Sequence, residues 1–218
     1  MERKRIAKET QENIISIATK LFLEKGYEKT SVQDIANTLG MTRGAVFHHF
    51  KSKEDILNEV INRQAEYAEQ VFYKWLEEME GLPARKKIML LLEKSLKDRD
   101  THALDSIIAD QVKNPHFVVA AMQNSINRNA PILAKLLKEG IKDGSIKTDY
   151  PDECAEVFFV LLDVWCDPVL FECNADRLNR RLAFLQKLTK QIGVNVFDDN
   201  FIKAYSKLVL KIYRRSSK

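Results

Sequence analysis

Glycine and proline are scarce in this chain, seven and five among 218 residues. So few turn formers argue against a collagen-like chain or an all-β chain of many turns. Cysteine is scarcer: Cys154, Cys166 and Cys173 are odd in number and lack paired-ligand spacing, so buried or idle thiols are expected rather than a disulfide frame or a metal site. No apolar run exceeds six residues, as in Val157–Leu162, which Asp163 closes. A bilayer span needs about 20, so no membrane partner is expected. The opening Met1-Glu2-Arg3-Lys4-Arg5 has no apolar stretch of the export type, and the expected location is the cytoplasm. The motifs of zinc proteases, phosphate-binding loops and serine hydrolases are all missing. The four histidines have no carboxylates at motif spacing. No enzyme, metal or cofactor is therefore expected.

What is present is charge and helical periodicity. The chain carries 35 Lys and Arg against 31 Asp and Glu, a net +4. Residues 1–53 hold ten of the basic and six of the acidic residues, and everything after is balanced. A basic front end on a neutral body suits contact with a polyanion. Ile14, Ala18, Leu21 and Phe22 line one face of a helix that Gly26 stops. Thr30 to Gln33 and Ser31 to Asp34 both have capping-box spacing ahead of a short helix over about 32–39. Gly40 breaks that helix, Thr42 can cap a third over about 43–49, and Ser52 precedes a long fourth reaching to about residue 80. Beyond Gly81-Leu82-Pro83, helices are expected near 84–97, 101–113, 116–141, 151–171, 175–191 and 198–214, with a kink near Ala130 because of Pro131. No segment alternates as a strand does, so the chain reads as all-α. It divides into a three-helix module, 1–53, and a larger helical domain, 54–218.

The stretch Val32–Val46 meets the packing demands of a helix-turn-helix. Ala36 stands four residues before the turn glycine Gly40, where crossing helices admit only a small side chain, and Val46 turns back into the core. With Val46 and Phe50 inward, the third helix presents Thr42, Arg43, Gly44, Ala45, Phe47 and His48 outward. Arg can pair bidentately with guanine, and small residues allow a close approach to base edges. Helix starts near Thr30–Ser31 and Ser52–Lys53 offer N–H groups to phosphates, with the Lys53 ammonium beside them. The arm Arg3–Arg5 suits a phosphate track or a minor groove, or serves only as a solubilising end. His48 and His49 point about 100° apart, which disfavours a shared metal, and His49 suits a packing role.

The run Thr30-Ser31-Val32-Gln33-Asp34-Ile35-Ala36-Asn37-Thr38-Leu39-Gly40-Met41-Thr42-Arg43-Gly44-Ala45-Val46-Phe47-His48-His49-Phe50-Lys51-Ser52-Lys53 resembles the DNA-binding signature of the tetracycline-repressor (TetR) family. The preceding Ala18–Tyr27 is similar to that family's first helix. The resemblance covers about residues 10–60 and implies a homodimeric regulator, usually a repressor, released from a palindromic operator when a small molecule binds the larger domain, whose aromatic and Met side chains suit an apolar or aromatic ligand. It also implies that Thr30, Thr42, Arg43, Gly44, Ala45, Phe47, His48 and Lys53 face DNA. Phe47 stands where tyrosine is usual, removing a phenol-to-phosphate bond, and Ala45 where threonine is frequent.

The larger domain offers candidates of a different kind. Leu92, Leu104, Ile108, Gln111, Phe117, Met122, Ile126, Phe159, Trp165 and Phe171 can wall an effector pocket or simply fill the core. On a helical wheel, 151–171 is apolar over more than half its circumference. Phe158, Leu161 and Leu162, with Phe201, Tyr205, Leu208 and Ile212 of the last helix, suit a four-helix bundle across a two-fold axis, or the core of a single chain. The expected partners are thus duplex operator DNA, a second copy of the chain and a small-molecule effector. Two other functions share this architecture: a helical small-molecule or lipid binder whose helix-turn-helix is scaffold, and an activator of transcription.

Overall fold

The computed structural model describes residues 2–171 and 173–216, without the side chains of residues 3, 4 and 213–216. Eleven α-helices follow in order: α1 (Glu2–Lys25), α2 (Val32–Leu39), α3 (Arg43–His49), α4 (Lys53–Glu77), α5 (Ala84–Lys97), α6 (Asp105–Gln111), α7 (Pro115–Asn124), α8 (Ala130–Lys142), α9 (Pro151–Phe159), α10 (Ala175–Gln191) and α11 (Asp199–Ser216). Two π-helical stretches, 125–129 and 160–165, continue α7 into α8 and prolong α9. The described residues contain no strand. The segment Arg3–Arg5 is the first turn of α1 rather than an extended arm, and the Arg3 and Lys4 side chains lie outside the described residues.

By compactness the chain forms two units, residues 1–71 with 101–107, and residues 72–100 with 108–218. The first is built on α1, α2 and α3, which all touch one another. Ile14, Ala18, Phe22, Ile35, Ala36 and Val46 are almost fully buried there. Each large side chain so enclosed contributes about 1.5–3 kcal/mol over an exposed one. Ile56, Leu57 and Val60 of α4 are also buried, so the first half of that helix belongs to this unit, beyond the expected boundary at residue 53. Leu104, expected at an effector pocket, is buried in this unit as core.

In the second unit α8 packs on α9 and α5, and α10 packs on α11. Leu137, Ala155, Leu178 and Leu182 form its centre. The start of α5 has no cap of its own, since Pro83 precedes it. Asp143 and Ser145, from the turn after α8, supply one: Asp143 Oδ2 accepts from Ala84 N at 2.7 Å and Ser145 Oγ from Arg85 N at 3.2 Å. Gly193 closes the far side of the same turn with φ +84°, and its carbonyl accepts from Lys147 N at 3.2 Å.

Three expectations are corrected in this unit. First, Phe158, Leu162 and Phe201 are buried within a single chain, so they are core and not dimer interface. Rings of Phe158, Phe197, Phe201 and Tyr205 follow one another at 5.1, 5.2 and 5.9 Å, which binds α9 and α11 into one apolar column. Leu161 and Tyr205 pack against that core as well. Second, Pro131 causes no sharp break. The helix takes a wider register before it, with Ala130 N donating to Ser125 O, and so absorbs the donor that proline lacks. Third, the helix expected over 151–171 ends at Trp165. Pro168 cannot donate, and Asp167 Oδ1 instead accepts from Val169 N and Leu170 N at 2.7 and 2.8 Å. Burial pushes the Cys166 thiol up to about 12, which leaves it unreactive at neutral pH.

Candidate nucleic-acid interface

The geometry of α2 and α3 follows from their ends. Ser31 and Asp34 close a capping box: Asp34 N donates to Ser31 Oγ at 3.1 Å, and Ser31 N to Asp34 Oδ2 at 2.8 Å. The Ser31 hydroxyl also donates to Asp34, and these bonds hold the Asp34 carboxyl below the usual carboxylate range. At the other end Gly40 adopts φ +65°, a left-handed conformation natural to glycine, and Met41 N reaches back to Ala36 O at 2.9 Å. Thr42 caps α3 at once, its Oγ1 accepting from Ala45 N at 3.2 Å. The two helices are thereby joined by three residues in a fixed turn.

On α3, Val46 and Phe50 are buried, while Thr42, Arg43, Gly44, Phe47 and His48 are exposed and Ala45 is half-exposed. The outward face is the one the helical spacing predicts. The Arg43 guanidinium lies 5.2 Å from the centre of the Phe47 ring, a cation–π contact that orients it without consuming its donors. A methyl added at Gly44 would meet only Thr42 Oγ1, at 3.9 Å, so nothing in the chain itself requires glycine there. His49 is half-buried, its ring edge-on to that of His48 at 5.6 Å. No group of metal-ligating side chains occurs among the described residues.

Lys53 begins α4 next to this face. Its ammonium donates to Tyr27 O at 3.0 Å and sits 4.1 Å from the Tyr27 ring centre. Ser52 Oγ accepts from Asp55 N at 3.0 Å and caps the same helix start. The tyrosine that seats Lys53 was missed in the sequence because its contact spans 26 positions. Burial pushes the Tyr27 phenol up, with Glu54 and Glu28 adding to the shift.

Thr30 requires a correction. It is 1% exposed, its Oγ1 donates to Gly26 O at 2.9 Å and to Leu21 O at 3.3 Å, and its backbone N–H is taken by Tyr27 O. It ties the end of α1 to the start of α2 and cannot reach a phosphate. A helix-turn-helix whose second helix exposes Thr42, Arg43 and His48 above a buried Val46 defines the class as a DNA-binding protein.

Comparison with known proteins places the chain within that class. Residues 14–60 match the family model of bacterial regulatory proteins of the tetR family, and residues 104–188 that of the tetracyclin repressor-like C-terminal domain. The HTH-type transcriptional repressor KstR2 of Rhodococcus jostii is 32% identical over 148 residues, covering 65% of this chain and 70% of that protein. The HTH-type transcriptional regulator UidR of Escherichia coli is 26% identical over 191 residues, covering 86% and 93%. Among solved structures, a transcriptional regulator from Cytophaga hutchinsonii aligns with TM-score 0.56 at 22% identity, over 94% of this chain and 95% of that one. Salmonella enterica GusR aligns with TM-score 0.55 at 19% identity, over 94% and 95%. The chain belongs to the TetR family. It is a DNA-binding regulator of transcription.

Proposed function

We propose that the protein is a homodimeric repressor that binds a palindromic operator and is released by a small molecule held in its second unit. The observation that carries this is the exposed face of α3, where the Arg43 and His48 side chains make no hydrogen bond among the described residues. Ser31, Thr42, Arg43, Gly44, Ala45, Phe47, His48 and Lys53 form the DNA-facing set, with Thr30 removed to the core. Residues 1–53 hold the whole set, and 54–218 hold the effector and dimer surfaces. The protein acts in the cytoplasm, on the chromosome, and has no catalytic role. No helix among the described residues is long and apolar enough to cross a membrane.

For the dimer, Leu208 and Ile212 of α11 remain as half-buried candidates. For the effector, Leu92, Ile108, Phe117, Met122, Ile126, Phe159 and Trp165 are half-buried, Gln111 is buried, and Phe171 is 43% exposed beneath the Arg181 guanidinium. Symmetry gives ligand control a simple route. Two reading helices must meet half-sites about 34–36 Å apart, so a ligand that favours another spacing weakens binding.

Base and phosphate contacts separate by mutation. Arg43→Ala loses about 1–3 kcal/mol of discrimination between operator and scrambled DNA, whereas Lys53→Ala weakens both alike. Fluorescence anisotropy at several salt concentrations measures each loss. Equal losses on the two DNAs for Arg43→Ala contradict its base-reading role.

A further inference from the structure

Trp165, which ends the second π-helical stretch, and the first turns of α10 line an open groove of about 770 Å³. Helices wound in this wider register are frequent at functional sites. Arg177, Arg180, Arg181 and Phe184 stand at i, i+3, i+4 and i+7, so one face of α10 brings all four to the groove. The Phe184 ring meets the Trp165 ring edge-on at 5.8 Å, and Phe184 is 55% exposed. Three guanidinium groups are thus joined to an aromatic wall. Asp176 supplies the one carboxylate of the lining, so three positive charges face one negative.

Arg181 separates this groove from an ordinary basic surface. It is 7% exposed, and a cation so enclosed is normally paired. Here Nη1 donates to Trp165 O and lies 3.7 Å from Cys173 Sγ. Nε and Nη2 have no acceptor among the described residues, and no carboxylate among them pairs with the guanidinium. The group is held in place all the same, with the Trp165 and Phe171 ring centres 5.3 and 5.2 Å from its carbon. Arg177 and Arg180 are exposed, and their side chains make no ion pair or hydrogen bond among the described residues. A guanidinium offers its N–H groups in a planar fork that fits two oxygens of one oxyanion. A buried positive charge without a counter-ion is costly until an anion balances it.

We propose that this groove binds an aromatic oxyanion, a phosphate or carboxylate on a planar apolar body. The oxyanion takes the free N–H groups of Arg177, Arg180 and Arg181, and the ring lies against Phe184 and Trp165. The excess of positive charge favours a doubly charged phosphate over a singly charged carboxylate. The assignment rests on the second unit being the effector-binding part, and it names the chemistry of that effector.

The test titrates four probes on one scaffold, naphthyl phosphate, naphthoate, naphthylmethanol and naphthylmethylammonium, calorimetrically into the full chain. The phosphate is expected to bind tightest and at least about tenfold tighter than the alcohol, with the ammonium weakest, as charge-assisted hydrogen bonds imply. Inorganic phosphate, which lacks the ring, should bind at least about tenfold more weakly than naphthyl phosphate. Arg177→Gln combined with Arg180→Gln, two exposed positions whose change spares the core, lowers anion affinity by about tenfold and leaves the alcohol unchanged. Binding of only one of the two naphthyl anions supports the groove and identifies the oxyanion. An alcohol or ammonium as tight as the anions, inorganic phosphate as tight as naphthyl phosphate, a double variant that keeps the full anion affinity, or no binding of either naphthyl anion overturns the assignment. A double variant that changes from dimer to monomer in light scattering also overturns it, because the arginines then serve a second copy of the chain. Failure of the effector reading shows separately, as operator binding that no small-molecule fraction of a cell extract alters.

Discussion

Gly44 shows most clearly how a residue can serve a partner and not its own fold. Its backbone needs no left-handed conformation and a methyl there would clash with nothing. Alanine is the better helix former, so Gly44→Ala should raise stability by up to about 1 kcal/mol. In the proposed interface the same methyl stands where bases approach, so operator affinity should fall. Thermal melts and anisotropy on one preparation check both. A variant as tight as the wild type on DNA removes Gly44 from the interface. Asp163 makes a comparable case for a carboxyl whose pKa the fold raises. Its pKa in the folded chain, about 6, lies above the ordinary value of 3.8, so between the two the folded state holds more protons. Stability from this group is therefore full below about pH 4 and is lost as pH rises through 6. Asp163→Asn should melt higher than the wild type at pH 8, and the gap should close toward pH 4.5. A gap independent of pH contradicts the raised pKa. In the sequence Asp163 only closed an apolar run. Nothing local marks a carboxyl whose pKa the fold raises. Thr30 misled for the opposite reason: its cap spacing and family position were visible, but its bonds to Leu21 and Gly26 depend on how α1 ends.

At the scale of elements, punctuation was legible and orientation was not. The spans 84–97 and 175–191 agree with α5 and α10, because Pro83 and Asn174 mark starts by local chemistry alone. Asn174 caps α10 by accepting from Arg177 N at 2.9 Å. For α9 the wheel showed that two sides are apolar without showing which neighbour covers each, and the Phe158 face turned out to meet Phe197 and not a second subunit. Register shifts such as the π-turn before Pro131 also escape a pattern of fixed period. Long-range junctions are hidden in the same way. A Cβ on Gly193 would fall 1.5 Å from Lys147 O, at a φ that side chains avoid. Gly193→Ala should lower stability by at least about 2 kcal/mol, read from the urea midpoint with the slope unchanged. A loss within about 0.5 kcal/mol contradicts the packing of that turn.

For the whole molecule, function follows from a division of labour. In the proposed interface the basic excess confined to residues 1–53 supplies sequence-independent attraction to phosphates, and the exposed α3 adds discrimination. Residues 54–218 are electrically balanced, and the second unit is deeply apolar, which suits the proposed partner copy and small ligand. Helix-turn-helix and family were readable in the sequence because the turn glycine, the caps and the small Ala36 act within about 20 residues. The surroundings of the candidate effector residues were not, because they depend on segments that meet only in the folded chain. The most direct measurement is a selection of random duplexes by the purified protein, followed by light scattering of the complex on the enriched DNA. A palindromic site occupied by two chains, lost in Arg43→Ala, is the expected result. Enrichment of no common site, or one chain bound per duplex, would contradict the proposal that a symmetric pair of α3 helices reads the major groove.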